Sequence, residues 1–197
     1  MVARRFGTSF SISLAKAGRR VVRLKGGDPM IFGRASEEIE ACRAAGIAVE
    51  VVPGITAAQG AAGRLGVSLT HRKVSRRVQY VTGHAADGHL PRDIDWQSLA
   101  DPTATTIVYM PSKTIRELAA TAIARGLAGD TPTVAVAAAT RPDQKVIAGT
   151  IADIADRLAA AAPSGPLLVM IGRALADAAL AADADAAEKP RRLGKSA

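Results

Sequence analysis

Short β-type runs alternate with helix-forming stretches along this chain, and the first two runs are each stopped by glycine and proline. Val21-Val22-Arg23-Leu24 is broken by Gly26-Gly27-Asp28-Pro29, and Ala48-Val49-Glu50-Val51-Val52 by Pro53-Gly54. Helical spacing follows each, over 35–45 and 56–64, with Glu37, Glu38 and Glu40 early in the first, where the helix dipole favours acids, and Gly46 after it. The pattern continues with β-type runs at 78–82, 105–109, 133–137, 145–148 and 167–171. Helical stretches lie over 112–125, with Ser112 as its cap, and 151–161. Alternation of this kind predicts βαβ units and a largely parallel sheet. The back-to-back runs around 133–148 predict an antiparallel pair, so the second half is expected to be mixed.

Composition narrows the class. Of the 197 residues 48% are hydrophobic, but only 3% are aromatic and about a fifth are alanine. Small side chains favour helices packed closely on a sheet over an aromatic-rich sandwich. No apolar run approaches the roughly 18 residues of a membrane span, and the basic start lacks the apolar stretch of a secretory signal. The expectation is a cytoplasmic α/β protein. Its single cysteine, Cys42, excludes an internal disulfide and a multi-cysteine zinc site. The polar, basic stretch 71–77 places a domain boundary at 73/74. It separates a first α/β domain, 1–73, from a second, 74–180, and 181–197 is expected to be a disordered tail.

Four loops follow β-type runs and carry the candidate chemistry. In Lys25-Gly26-Gly27-Asp28-Pro29 the glycines let a ligand touch backbone, and Asp28 can accept hydrogen bonds from an amine or hydroxyl. Taken alone, such a loop is as often a plain turn. In Val52-Pro53-Gly54-Ile55-Thr56-Ala57-Ala58, Thr56 on its own is a helix cap. The two Gly/Pro loops together could line one crevice. Val81-Thr82-Gly83-His84 and Val108-Tyr109-Met110-Pro111 repeat the theme, and His84 can titrate near neutrality. There is no Walker A loop, no Gly-x-Gly-x-x-Gly, no nucleophile elbow and no His-x-x-x-His spacing. No metal is expected. The net charge of +8 fits nucleic acid, a membrane or an acidic small molecule. Dispersed basic residues and scarce aromatics argue against nucleic acid.

The run Val21-Val22-Arg23-Leu24-Lys25-Gly26-Gly27-Asp28-Pro29-Met30-Ile31-Phe32-Gly33-Arg34 closely resembles the uroporphyrinogen-III C-methyltransferases of the tetrapyrrole methylase superfamily. The resemblance continues through 51–58, Leu69-Thr70-His71-Arg72, Val81-Thr82-Gly83-His84 and Tyr109-Met110, over about residues 10 to 175. It implies two α/β domains with S-adenosyl-L-methionine in the cleft between them, the first domain incomplete here, and a homodimer. The implied activity is C-methylation of uroporphyrinogen III to precorrin-2, on the way to sirohaem or cobalamin. The alternatives are a methyltransferase of a later precorrin and a non-catalytic remnant that keeps a binding surface.

Carried over by position, the resemblance puts cofactor contacts at Gly26, Gly27, Asp28, Ile31, Thr56, Ala57, Met110 and Ala139. The stretch around Ala139 is less polar than the family's. The substrate's eight carboxylates give the positive charge a partner, with Arg23, Arg34, Arg72, Arg76 and Arg77 as candidates. The family's opening Gly-rich loop, and the acidic residue and lysine proposed for its proton transfer, have no counterpart here, so no catalytic residue is assigned. The chain reads as an N-terminally truncated copy, expected to have poor stability and little activity alone.

Overall fold

The computed structural model describes residues 7–178, so the tail expected over 181–197 lies outside the described residues. The described residues fall into two compact units, 7–57 and 58–178.

The first unit holds two helices, α1 (Thr8–Lys16) and α2 (Ala35–Ala44). The expected helix over 35–45 is thus α2. It carries Glu37 and Glu38 in its first turn and ends before Gly46 at φ +71. The strands expected at 21–24 and 48–52 do not form. Both segments lack a laddered partner among the described residues, and Val22, Leu24 and Val52 are 75%, 83% and 74% exposed. A β-type run becomes a strand only when a neighbour completes its hydrogen bonds. Among its described residues the unit is therefore held by helices and turns, without sheet.

The second unit begins with α3 (Ala57–Leu65), whose first residue closes the preceding unit. A five-stranded sheet follows: β1 (Arg77–Thr82), β2 (Ala104–Tyr109), β3 (Pro132–Ala137), β4 (Lys145–Thr150) and β5 (Leu167–Ile171). Helix α4 (Trp96–Leu99) lies before β2, α5 (Ile115–Ala124) joins β2 to β3, and α6 (Ile154–Ala161) joins β4 to β5. The strand order is β1-β2-β5-β3-β4. Only β1 and β2 pair in parallel; β2–β5, β5–β3 and β3–β4 are antiparallel. The expected largely parallel sheet is corrected to a mostly antiparallel one. β5 inserts between β2 and β3, which separates two strands that run in the same direction. The expected antiparallel pair around 133–148 is present as β3–β4.

Alternation along β2, β5 and β3 sorts the core. Val108, Val169, Ile171, Ala135 and Ala137 join Leu118 and Ala122 of α5 and Ile154 and Leu158 of α6 in one cluster. Their neighbours Ile107, Met170, Val134 and Val136 point to the opposite face and are fully buried as well. A sheet covered on both faces needs apolar residues at consecutive positions, which is what LLVMI in β5 supplies.

Segments on either side of the expected 73/74 boundary fold with the sheet. The Ala58 amide donates to Tyr109 Oη at 3.2 Å, and buried Ser75 shares a 2.7 Å hydroxyl bond with Thr105. Helix α5 starts later than expected. Thr114, not Ser112, is its cap residue, and its hydroxyl donates to the Gly83 carbonyl and accepts from no helix amide.

Asp101 fastens the start of β2. Its Oδ1 accepts from the Thr103 amide and hydroxyl, each at 2.7 Å, and its Oδ2 accepts from Arg77 at 2.8 Å. The Thr103 bonds, and then the Arg77 charge, hold its carboxyl below the usual aspartate range. A folded-state pKa below the unfolded one adds stability above about pH 3.9 that is lost as pH falls through the folded value. Asp101→Asn is thus expected to lower the unfolding midpoint at neutral pH, with the two proteins converging in acid. A gap that stays constant from pH 7 to strong acid would contradict this.

Candidate functional site

In the first unit the structure brings together the two Gly/Pro loops singled out from sequence. The Asp28 carboxylate joins them: Oδ1 accepts from the Met30 amide at 2.7 Å, and Oδ2 accepts from the Gly54 amide at 3.0 Å. Gly27 sits at φ +78. A Cβ on Gly54 would stand 2.7 Å from the Gly27 carbonyl oxygen, so the backbones nearly touch. Gly26 is exposed, with open space where a Cβ would be, so its backbone is open to a ligand. Thr56 is buried, and Ala57 opens α3.

The turn that carries Ile31 is tight. Ile31 is half-buried, its amide donates to the Asp28 carbonyl at 3.4 Å, and Phe32 and Arg34 adopt φ +50 and +56. Left-handed backbone costs non-glycine residues energy and persists where the surroundings enforce it. Lys25 supplies part of that enforcement. Its ammonium donates to the Gly33 carbonyl and pairs with Glu38 of α2 at 2.7 Å, with only 13% of the side chain exposed. The Arg34 guanidinium pairs with Glu37 and holds that carboxyl below its ordinary range.

In the second unit Met110 and Ala139 come to one end of the sheet, past the ends of two inner strands. β2 and β3 both run antiparallel to β5, so both end where β5 begins. Met110, at φ +57 and 40% exposed, donates its amide to the Leu167 carbonyl at 3.1 Å. Ala138, at φ +49, donates to the adjacent Pro166 carbonyl at 2.8 Å, and Ala139 follows, half-buried. Helix α3 approaches the same end: a Cβ on Gly60 would stand 2.8 Å from the Thr140 methyl. His84 follows β1, which ends beside β2. Its Nδ1 is buried and makes no hydrogen bond among the described residues.

Sequence reasoning missed Lys25 and Glu38 as loop anchors, and the Pro166-Leu167 carbonyls that hold Met110 and Ala138. A lysine eight residues from its acceptor has no local signature. Left-handed methionine and alanine have none either, because propensity alone places neither there.

Three of the five candidate arginines are already paired. Arg23 meets Glu38 at 3.4 Å, Arg34 meets Glu37, and Arg77 meets Asp101. Arg72 and Arg76 are exposed and have no ion pair among the described residues. No group of three or more metal-type ligands occurs among the described residues.

Paired glycine loops, left-handed residues at the strand ends and this strand order fit one class of protein, which the sequence pattern shows. The chain belongs to the tetrapyrrole (corrin/porphyrin) methylases, whose pattern matches residues 4–155. It is similar to the siroheme synthase of Gluconacetobacter diazotrophicus, 48% identical over 163 residues, which is 82% of this chain and 34% of that protein. The chain thus spans about a third of the length of the curated relatives it matches. Among solved structures it resembles uroporphyrin-III-C-methyltransferase from Thermus thermophilus, with a TM-score of 0.71 and 37% identity over 86% of this chain and 71% of that one. A second structure from that organism, a uroporphyrin-III C-methyl transferase complexed with S-adenosylhomocysteine, matches with a TM-score of 0.72 and 29% identity over 86% of this chain and 73% of that one.

Proposed function

We propose that this chain binds S-adenosyl-L-methionine and serves the C-methylation of uroporphyrinogen III to precorrin-2. The observation that carries this reading is the interlocked pair of glycine loops, with Gly26 open and the Asp28–Gly54 bond behind it. The chemistry of the loops suits the cofactor. Bare backbone at Gly26 and Gly27 can hydrogen-bond an amino acid or ribose without a side chain intervening. When bound, the cofactor supplies a methyl group on a positively charged sulfur, which a nucleophilic pyrrole carbon takes in line.

The chain's own task in this reading is alignment and exclusion of water. The cofactor contacts of this reading are Gly26, Gly27, Asp28, Ile31, Thr56 and Ala57 in the first unit, and Met110 and Ala139 in the second. Met110 holds a left-handed backbone conformation directly after β2 and is 40% exposed. Arg72 and Arg76, whose side chains make no ion pair among the described residues, engage substrate carboxylates. The same reading includes a cytoplasmic homodimer. No helix among the described residues is long and apolar enough to cross a membrane.

Titration calorimetry of the 197-residue chain with S-adenosylhomocysteine tests the reading, and saturable one-to-one binding is expected. Exposed ion pairs contribute roughly 0–1 kcal/mol each. Arg72→Ala is therefore expected to weaken tetrapyrrole binding only a few-fold and the double Arg72→Ala/Arg76→Ala variant by about tenfold, with cofactor binding unchanged. Absence of S-adenosylhomocysteine binding by a folded wild-type chain would remove the reading.

A further inference from the structure

We propose that Asp28 is a positioning residue: its carboxylate clamps the Gly26-Gly27-Asp28 loop to the Pro53-to-Ala57 loop, and it serves ligand binding through that clamp. The inference rests on the functional reading above and assigns the carboxylate a different partner, the Gly54 amide.

Each oxygen of Asp28 already has a backbone donor. The bond from the Met30 amide to Oδ1, at 2.7 Å, closes the local turn. The bond from the Gly54 amide to Oδ2, at 3.0 Å, spans 26 residues and ties two segments that share no strand ladder. Backbone amides donating to a carboxylate make charge-assisted bonds, stronger than neutral ones.

The backbones around the clamp fit at contact distance. A Cβ at Gly54 would stand 2.7 Å from the Gly27 oxygen and 3.3 Å from Asp28 Cα. A Cβ at Gly27 would meet the Ile55 oxygen and the Ala57 nitrogen at 3.5 Å. The loop of Gly26 and the loop of Thr56 and Ala57 therefore move as one body while the Asp28 carboxylate is in place. Gly54 lies two residues before Thr56, so releasing its amide frees the residues expected to face the ligand. Asparagine cannot replace the clamp. It offers one acceptor oxygen, and its amide group would face the second backbone N–H donor with a donor of its own.

Two measurements on the full chain test this. The first is hydrogen exchange at the Met30 and Gly54 amides in wild type and Asp28→Asn, with amides of β3 and β5 as an internal control for folding. The second is S-adenosylhomocysteine affinity of Asp28→Asn, Gly54→Ala and the double variant. Under the proposal Asp28→Asn speeds exchange at Met30 and Gly54, leaves the control amides protected, and weakens binding about tenfold. The double variant is then little worse than either single, because both break one clamp.

Three outcomes overturn the proposal. Weaker binding with unchanged exchange at Gly54 makes Asp28 a direct ligand. Additive losses in the double variant separate the two residues. Faster exchange with unchanged affinity leaves the clamp without a role in binding. If wild type binds no S-adenosylhomocysteine, the functional reading fails on its own, and the clamp then stands or falls on the exchange measurement.

Discussion

Replacing Gly33 with alanine is expected to abolish most ligand binding by the first unit while sparing the second. A Cβ at Gly33 would overlap the Pro29 carbonyl oxygen, and Pro29 Cα would lie only 3.4 Å away. Neither atom belongs to a flexible side chain, so the backbone itself must shift. The turn has little freedom to do so. Phe32 and Arg34 on either side already hold left-handed conformations, and the Gly33 carbonyl accepts from Lys25. The displacement therefore runs back to Asp28 and Ile31, two of the candidate site residues. A shift of about 1 Å in a binding loop commonly costs a factor of about a hundred in function. S-adenosylhomocysteine affinity is expected to fall by more than about tenfold, with the thermal transition of the sheet unchanged. A Gly33→Ala protein that binds at wild-type strength would show that this turn does not shape the site.

The largest stability effect is expected at Ile107. It is fully buried at the centre of β2, opposite Tyr80 of β1 and Met170 of β5. Truncation to alanine removes apolar contacts and leaves a cavity that a sheet held on both edges cannot close. Such changes cost about 2–5 kcal/mol, a large part of a total of about 5–15 kcal/mol. The unfolding midpoint of the second unit should fall by roughly 10 °C. Val22→Ser provides the contrast, because Val22 is 75% exposed and its change should stay within about 0.5 kcal/mol. Equal effects from the two variants would show that the burial pattern does not set stability here.

Much of the second unit was readable from its residues. Consecutive apolar positions in Leu167–Ile171 mark a strand buried on both faces, and the spacing in α5 marks a helix with one apolar side. The glycine loops could be singled out as a pair although each alone reads as a plain turn, and the Asp28–Gly54 bond brings the two together. Pairing was not readable. Val21–Leu24 and Ala48–Val52 have the composition of strands, yet no neighbour completes their hydrogen bonds among the described residues. Composition states what a segment can form, and the partner decides whether it does. The same limit applied to the arginines. Their suitability for carboxylates is intrinsic, but Glu38, Glu37 and Asp101 occupy Arg23, Arg34 and Arg77.

The sequence by itself determined the family, the alternation of elements and the positions of the loops, because these depend on residue type and spacing along the chain. Tertiary structure alone decided the strand order, the register and the partner of Asp28. Each of these depends on which distant backbone groups meet, and the 26 residues between Asp28 and Gly54 carry no local signal of that meeting.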